Sequence, residues 1–148
     1  MAFRFRFKSL LQKREYSLRE AQSAFALAHR RWEESRQRLQ SARSNYHDSW
    51  QDWQEKQHRG VDARYCREHI HFLKSLEQQL LFLESELNEA RKEMERRKST
   101  MLDRDKEARI MEELQEKDRR SYKIALHQKE QKQLDEIAVF KDFRCRSL

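Results

Sequence analysis

The chain has no proline and a single glycine, Gly60, in 148 residues. The two residue types that most often interrupt helices are therefore missing, and one site near the middle stands out as a bend. Cysteine is scarce as well. Cys66 and Cys145 are too few and too far apart for a disulfide framework, and they read as free thiols of a reducing cytosol. No apolar run approaches the roughly 20 residues that a membrane span requires. Hydrophobic residues make up 36% against 40% charged, with a mean hydropathy of −1.22. That is too little apolar side chain for a broad core, yet too much Leu, Phe, Tyr and Trp for a disordered chain. What remains is a composition suited to long helices that each bury one narrow stripe.

The charge is +7, from 33 basic and 26 acidic residues, so acidic proteins, nucleic acid and anionic lipid are all open as partners. Acids interleave with bases through most of the chain, which dilutes any single positive face. The opening MAFRFRFKSLLQKR is different: it has no acid and carries Arg4, Arg6, Lys8, Lys13 and Arg14. Such a segment suits an organellar transit peptide or a membrane-surface anchor. No uninterrupted apolar region follows, which argues against a secretory leader, and the plainer reading is a basic start to the first helix.

From Leu11 every seventh residue is bulky and apolar: Leu11, Leu18, Phe25, Trp32, Leu39, Tyr46 and Trp53. The alternating layer reads Arg14, Ala21, Ala28, Ser35, Ala42 and Ser49, small enough for a partner helix to approach closely. A second seam runs through Leu73, Leu76, Leu80, Leu83, Leu87, Ala90 and Met94, then weakens through Arg97, Met101, Arg104, Ala108 and Met111. These periods predict an all-α fold: a long antiparallel two-helix coiled-coil hairpin with a left-handed supercoil. Helix one is expected over about 9–58, with Ser9 and Gln12 as a capping box, and would be roughly 75 Å long. The bend falls at about 59–62, with Gly60 as the turn and Asp62 as N-cap of a helix over about 62–142. The whole chain is read as one coiled-coil domain, with helix two running on through the weak KSTMLDRDKEA stretch. Antiparallel pairing about this bend joins residues whose numbers total roughly 120, so about the last 30 residues overhang unpaired.

No constellation of catalytic residues emerges. YCREHIH (residues 65–71) holds Cys66, Glu68, His69 and His71, but His71 points away from the face shared by Cys66 and His69. No metal, cofactor or catalytic residue is therefore expected, and a two-helix rod lacks the concave cleft that an enzyme needs. A basic zipper for nucleic acid would need a dense basic block leading into the heptads, which is absent. The densest basic run, KDRRSYKIALHQKEQK, includes Arg119, Arg120, Lys123 and Lys129 and reads equally as a solvated helix face or as a cationic surface on the overhang. Near the bend, Trp50, Tyr65, Phe72, Leu81 and Phe82 lie outside the seam, more aromatic surface than two helices can bury. Phe72 and Leu76 stand four apart on one helix face, as an anchor pair would.

The opening FRFKSLLQKRE, the single mid-chain glycine, HFLKSLEQQL and the late KEQKQLDEIAVF together resemble the FliJ family of the bacterial flagellar type III export apparatus. The resemblance covers the whole chain in order and spacing. It implies a non-enzymatic, monomeric, stalk-like rod that couples the hexameric flagellar export ATPase to the cytoplasmic region of a membrane export-gate protein and helps cycle export chaperones. It further implies a cytoplasmic protein held peripherally at the membrane beneath the flagellum. The family's gate-contacting Phe-x-x-x-Leu pair falls on Phe72 and Leu76, and its neighbouring aromatic positions on Tyr46 and Trp50. Small and His side chains belonging to that pattern are replaced here by Gln79 and Leu83. The ring-binding role falls to the overhang, with Arg119, Arg120, Lys123 and Lys129. Two alternatives share the heptads: a structural coiled coil that forms a parallel dimer, and the equivalent stalk of a virulence secretion system.

Overall fold

The computed structural model describes residues 2–147 and contains two helices, α1 (Lys8–Arg59) and α2 (Ala63–Arg146). The fold is an all-α helical hairpin, with no strand among the described residues. Gly60 adopts φ +81°, and its N–H donates to the carbonyl of Gln57 at 3.3 Å, which ends α1. Lys56, His58 and Arg59 in the last turn complement the negative end of the helix dipole. The Asp62 carbonyl accepts from the Cys66 N–H at 3.0 Å, which makes Asp62 the residue that opens α2. Because a Cβ on Gly60 would meet nothing within 4 Å, Gly60→Ala is a test of backbone conformation alone. It is expected to cost about 1 kcal/mol, measured by thermal melting, since an L side chain is strained at this φ.

At its start α1 departs from the expectation. The first bond is donated by Leu11 N–H to the Phe7 carbonyl at 2.9 Å, so Ser9 lies inside the first turn and cannot cap it. The reason is the anchoring of the preceding segment: Phe5 packs with Leu11 and Met111, and Phe3 and Leu114 close over them. Phe3 also meets Tyr122, ring centroids 5.6 Å apart. Residues 2–5 are not helical, yet their side chains add cover beyond the start of α1, and contact reaches Tyr122 rather than stopping near residue 110.

Contacts fall into two units, each described by itself. One combines the described residues up to Leu18 with those from Asp103 onward; the other is Arg19–Leu102. In the first, Ala108 is the most buried side chain, and Arg14 in the small layer bonds Glu107 at 2.7 Å, a carboxylate that also receives Arg104 at 3.2 Å. In the second, Ala21, Ala28, Leu39, Trp53 and Leu73 are buried. Phe25, Trp32, Tyr46, Leu76, Leu80, Leu83, Leu87 and Met94 are half-buried at the intervening heptad positions. Leu18 in the first unit is half-buried too. Cross-links in the second unit descend α1 while ascending α2: Lys56 to Tyr65 at 2.6 Å, Tyr46 to Glu77 at 2.7 Å, and Arg43 to Glu84 at 3.1 Å. That order is the mark of antiparallel pairing, and it fills the seam that a parallel dimer would need.

The seam lapses at Arg97, which turns outward to Glu93 at 2.8 Å, yet α2 runs through 98–108 without a break. Local ion pairs support the lapse. Arg96, and then Arg97, hold the Glu93 carboxyl below its usual range by hydrogen bonding.

Candidate docking surfaces

Around the bend the aromatic side chains divide by environment. Trp53 is 4% exposed and stacks on His69 at 4.9 Å, while Tyr65 stacks on the same imidazole at 5.9 Å. His69 Nε2 lies 3.4 Å from the Ser49 carbonyl, an acceptor only, so that nitrogen carries the proton of this bond. Lys56 donates to the Tyr65 hydroxyl, and this bond, followed by Asp52, holds the ammonium above its ordinary pKa. Thus His69 and Tyr65 belong to the packing, and among the described residues no group of three His, Cys, Asp or Glu side chains is placed for a metal.

The four residues implied as a gate surface do not form one continuous face. Phe72 is half-exposed and edges against His69 at 6.1 Å; Leu76 is half-buried and lines a groove with Gln79 and Leu83. Across that groove α1 contributes Arg38, Ala42 and Asn45. Phe72, one heptad before Gln79, stands on the same flank. Trp50 does not. It follows Ser49 just as Arg43 follows Ala42, and Arg43 bridges to Glu84 on the other flank. Trp50 and Phe72 therefore stand on different flanks, since a step of one residue on a helix crosses from one side of the seam to the other. Tyr46 is a seam residue whose hydroxyl donates to Glu77, a bond that raises its phenol pKa.

The ring-binding set also divides. Arg119 lies over the Phe3 ring at 5.7 Å and 4.0 Å from Glu116, which Arg120 also approaches at 3.5 Å. Arg119 is therefore not on the unpaired part of α2, because Phe3 reaches it, whereas Arg120 next to it is exposed. Lys123 and Lys129 lie beyond that cover and are exposed, as is every residue from 123 to 147. This free portion carries apolar residues that the charge-based reading passed over: Leu134, Ile137, Val139, Phe140 and Phe143 are 52–73% exposed. Val139, Phe140 and Phe143 line a shallow groove with Asp135 and Glu136. The clue was present in IAVFKDF, whose apolar residues recur at three- and four-residue steps in a segment with no partner helix.

No described helix is long and apolar enough to cross a membrane. No curated protein and no solved structure matches the chain with significance. The family described as "Flagellar FliJ protein", however, matches residues 3–146. Heptad hairpin, mid-chain glycine and near-complete family match agree, and the chain belongs to the FliJ family, components of the flagellar export apparatus.

Proposed function

We propose that this chain is the stalk-like coupling component of the export apparatus, joining the hexameric export ATPase to the export gate and assisting export chaperones in their cycling. It carries out no chemistry of its own. It works by binding one form of its partners in preference to another, which shifts their equilibrium toward the assembled state. It would be monomeric alone, cytoplasmic and peripherally bound at the membrane through the gate. The observation that carries this reading is the free portion of α2 beyond Tyr122, a fully exposed helix bearing both Lys123 and Lys129 and an apolar stripe. An ordered helix with unburied apolar residues needs a partner to cover them.

The gate contact is assigned to the flank that carries Phe72 and Leu76. Phe72 is 50% exposed, so Phe72→Ala should leave helicity intact. Binding to the purified cytoplasmic region of the gate protein should weaken at least tenfold, roughly the loss of one aromatic anchor, with motility falling in parallel. Unchanged gate binding by the folded variant would remove this assignment. Co-purification from a flagellated host tests the whole reading: the export ATPase should accompany the tagged chain.

A further inference from the structure

The Arg43–Glu84 bridge, 3.1 Å, fixes which residues face each other on its flank of the Arg19–Leu102 unit. One heptad along the pairing, Arg36 of α1 comes opposite Arg91 of α2; another heptad brings His29 opposite Lys98. Positions that ordinarily carry opposite charges across a seam carry two arginines. Both arginines line one groove with Arg43, over a floor of Trp32, Leu39 and Leu87. Their local partners are weak. Arg36 lies 3.7 Å from Glu33 and 5.3 Å over the Trp32 ring, and among the described residues Arg91 donates to the neutral amide of Asn88 at 3.0 Å. Glu84, the acid of the groove lining, is already engaged by Arg43.

We propose that this groove docks an acidic amphipathic helix of a partner protein. A carboxylate of that helix sits between Arg36 and Arg91, and its apolar side chains cover Trp32 and Leu87. Charge complementarity selects the acid, since a facing arginine pair gains most from a shared carboxylate. The apolar floor between two helices selects a third helix, which continues the knobs-into-holes packing. Glu33 and Glu84 stand beside the arginines and would repel a run of phosphates, so the cations do not form a nucleic-acid track. This flank lies opposite the Phe72–Leu76 groove, and the inference stands apart from the gate assignment.

The test uses the purified full chain and a labelled synthetic helix of about three heptads, with leucine at core positions and glutamate on the flanks, followed by fluorescence anisotropy. Saturable binding is expected, weakened about tenfold or more by Arg91→Glu, less by Arg91→Gln, and untouched by Phe72→Ala. Relieving the like-charge pair should also raise the melting temperature of free Arg91→Glu by about 1–4 °C. Absence of peptide binding, or equal affinity for the folded Arg91→Glu chain, overturns the proposal. So does a lowered melting temperature, which would deny the facing arginines. Tighter, Arg91-dependent binding of single-stranded DNA or of phosphatidylserine vesicles would reassign the groove to phosphate and overturn the helix.

Discussion

Trp53→Ala should lower the stability of the hairpin by about 3–5 kcal/mol, the range for removing a buried aromatic. Trp53 is 4% exposed and stacks face to face on His69, which itself stacks on Tyr65. Deleting the indole leaves a void between α1 and α2 near the bend, where a thin two-helix core has no second layer to collapse into it. Two further effects add to the loss: the aromatic pairing itself, and exposure of the His69 bond to the Ser49 carbonyl. Trp50→Ala is the control, because its indole is 43% exposed on a flank and should cost about 1 kcal/mol or less. Circular dichroism melts of the two variants decide the matter. Equal losses would mean that Trp53 is no more a core residue than Trp50.

The double substitution Phe140→Asp with Phe143→Asp should abolish association with the export ATPase while leaving the melting curve unchanged. Both rings are about 70% exposed and line a groove made of α2 residues alone, so folding should not depend on them. Aromatic anchors at an interface commonly account for 2 kcal/mol or more each, and two new carboxylates beside Asp135 and Glu136 add repulsion. The readouts are co-sedimentation with the ATPase and stimulation of its ATP hydrolysis. Normal stimulation by a folded double variant would show that the apolar stripe is not the contact. Lys123→Glu with Lys129→Glu should have a smaller, salt-sensitive effect, as rim charges do. Charge reversal at Arg119 is a poor probe, because its guanidinium covers Phe3 and its loss disturbs the anchored opening segment as well.

Much of the fold was legible along the chain because a heptad is a local property. Leu11, Leu39, Trp53 and Leu73 are buried where the seven-residue period puts them, and Gly60 turns where the two seams meet. The start of α1 was misread because Ser9 and Gln12 satisfy a capping pattern, whereas the real start is set by Phe3 and Phe5 reaching residues more than a hundred positions away. The same long-range contact moved Arg119 off the free part of α2. The docking residues were legible as types but not as surfaces: Phe72 and Trp50 both looked surplus to the seam, yet they occupy opposite flanks.

By itself, then, the order of residues determined that the chain would be two helices, where they would bend, and which stripe each would bury. Those outcomes depend on side-chain size and backbone freedom at neighbouring positions, and they survive any small shift of pairing. Only the tertiary structure decided register: that Arg43 meets Glu84 and so Arg36 and Arg91 line one groove, and that contact runs on to Tyr122. Register is a sum over many weak contacts between distant segments, and no single stretch of sequence contains it.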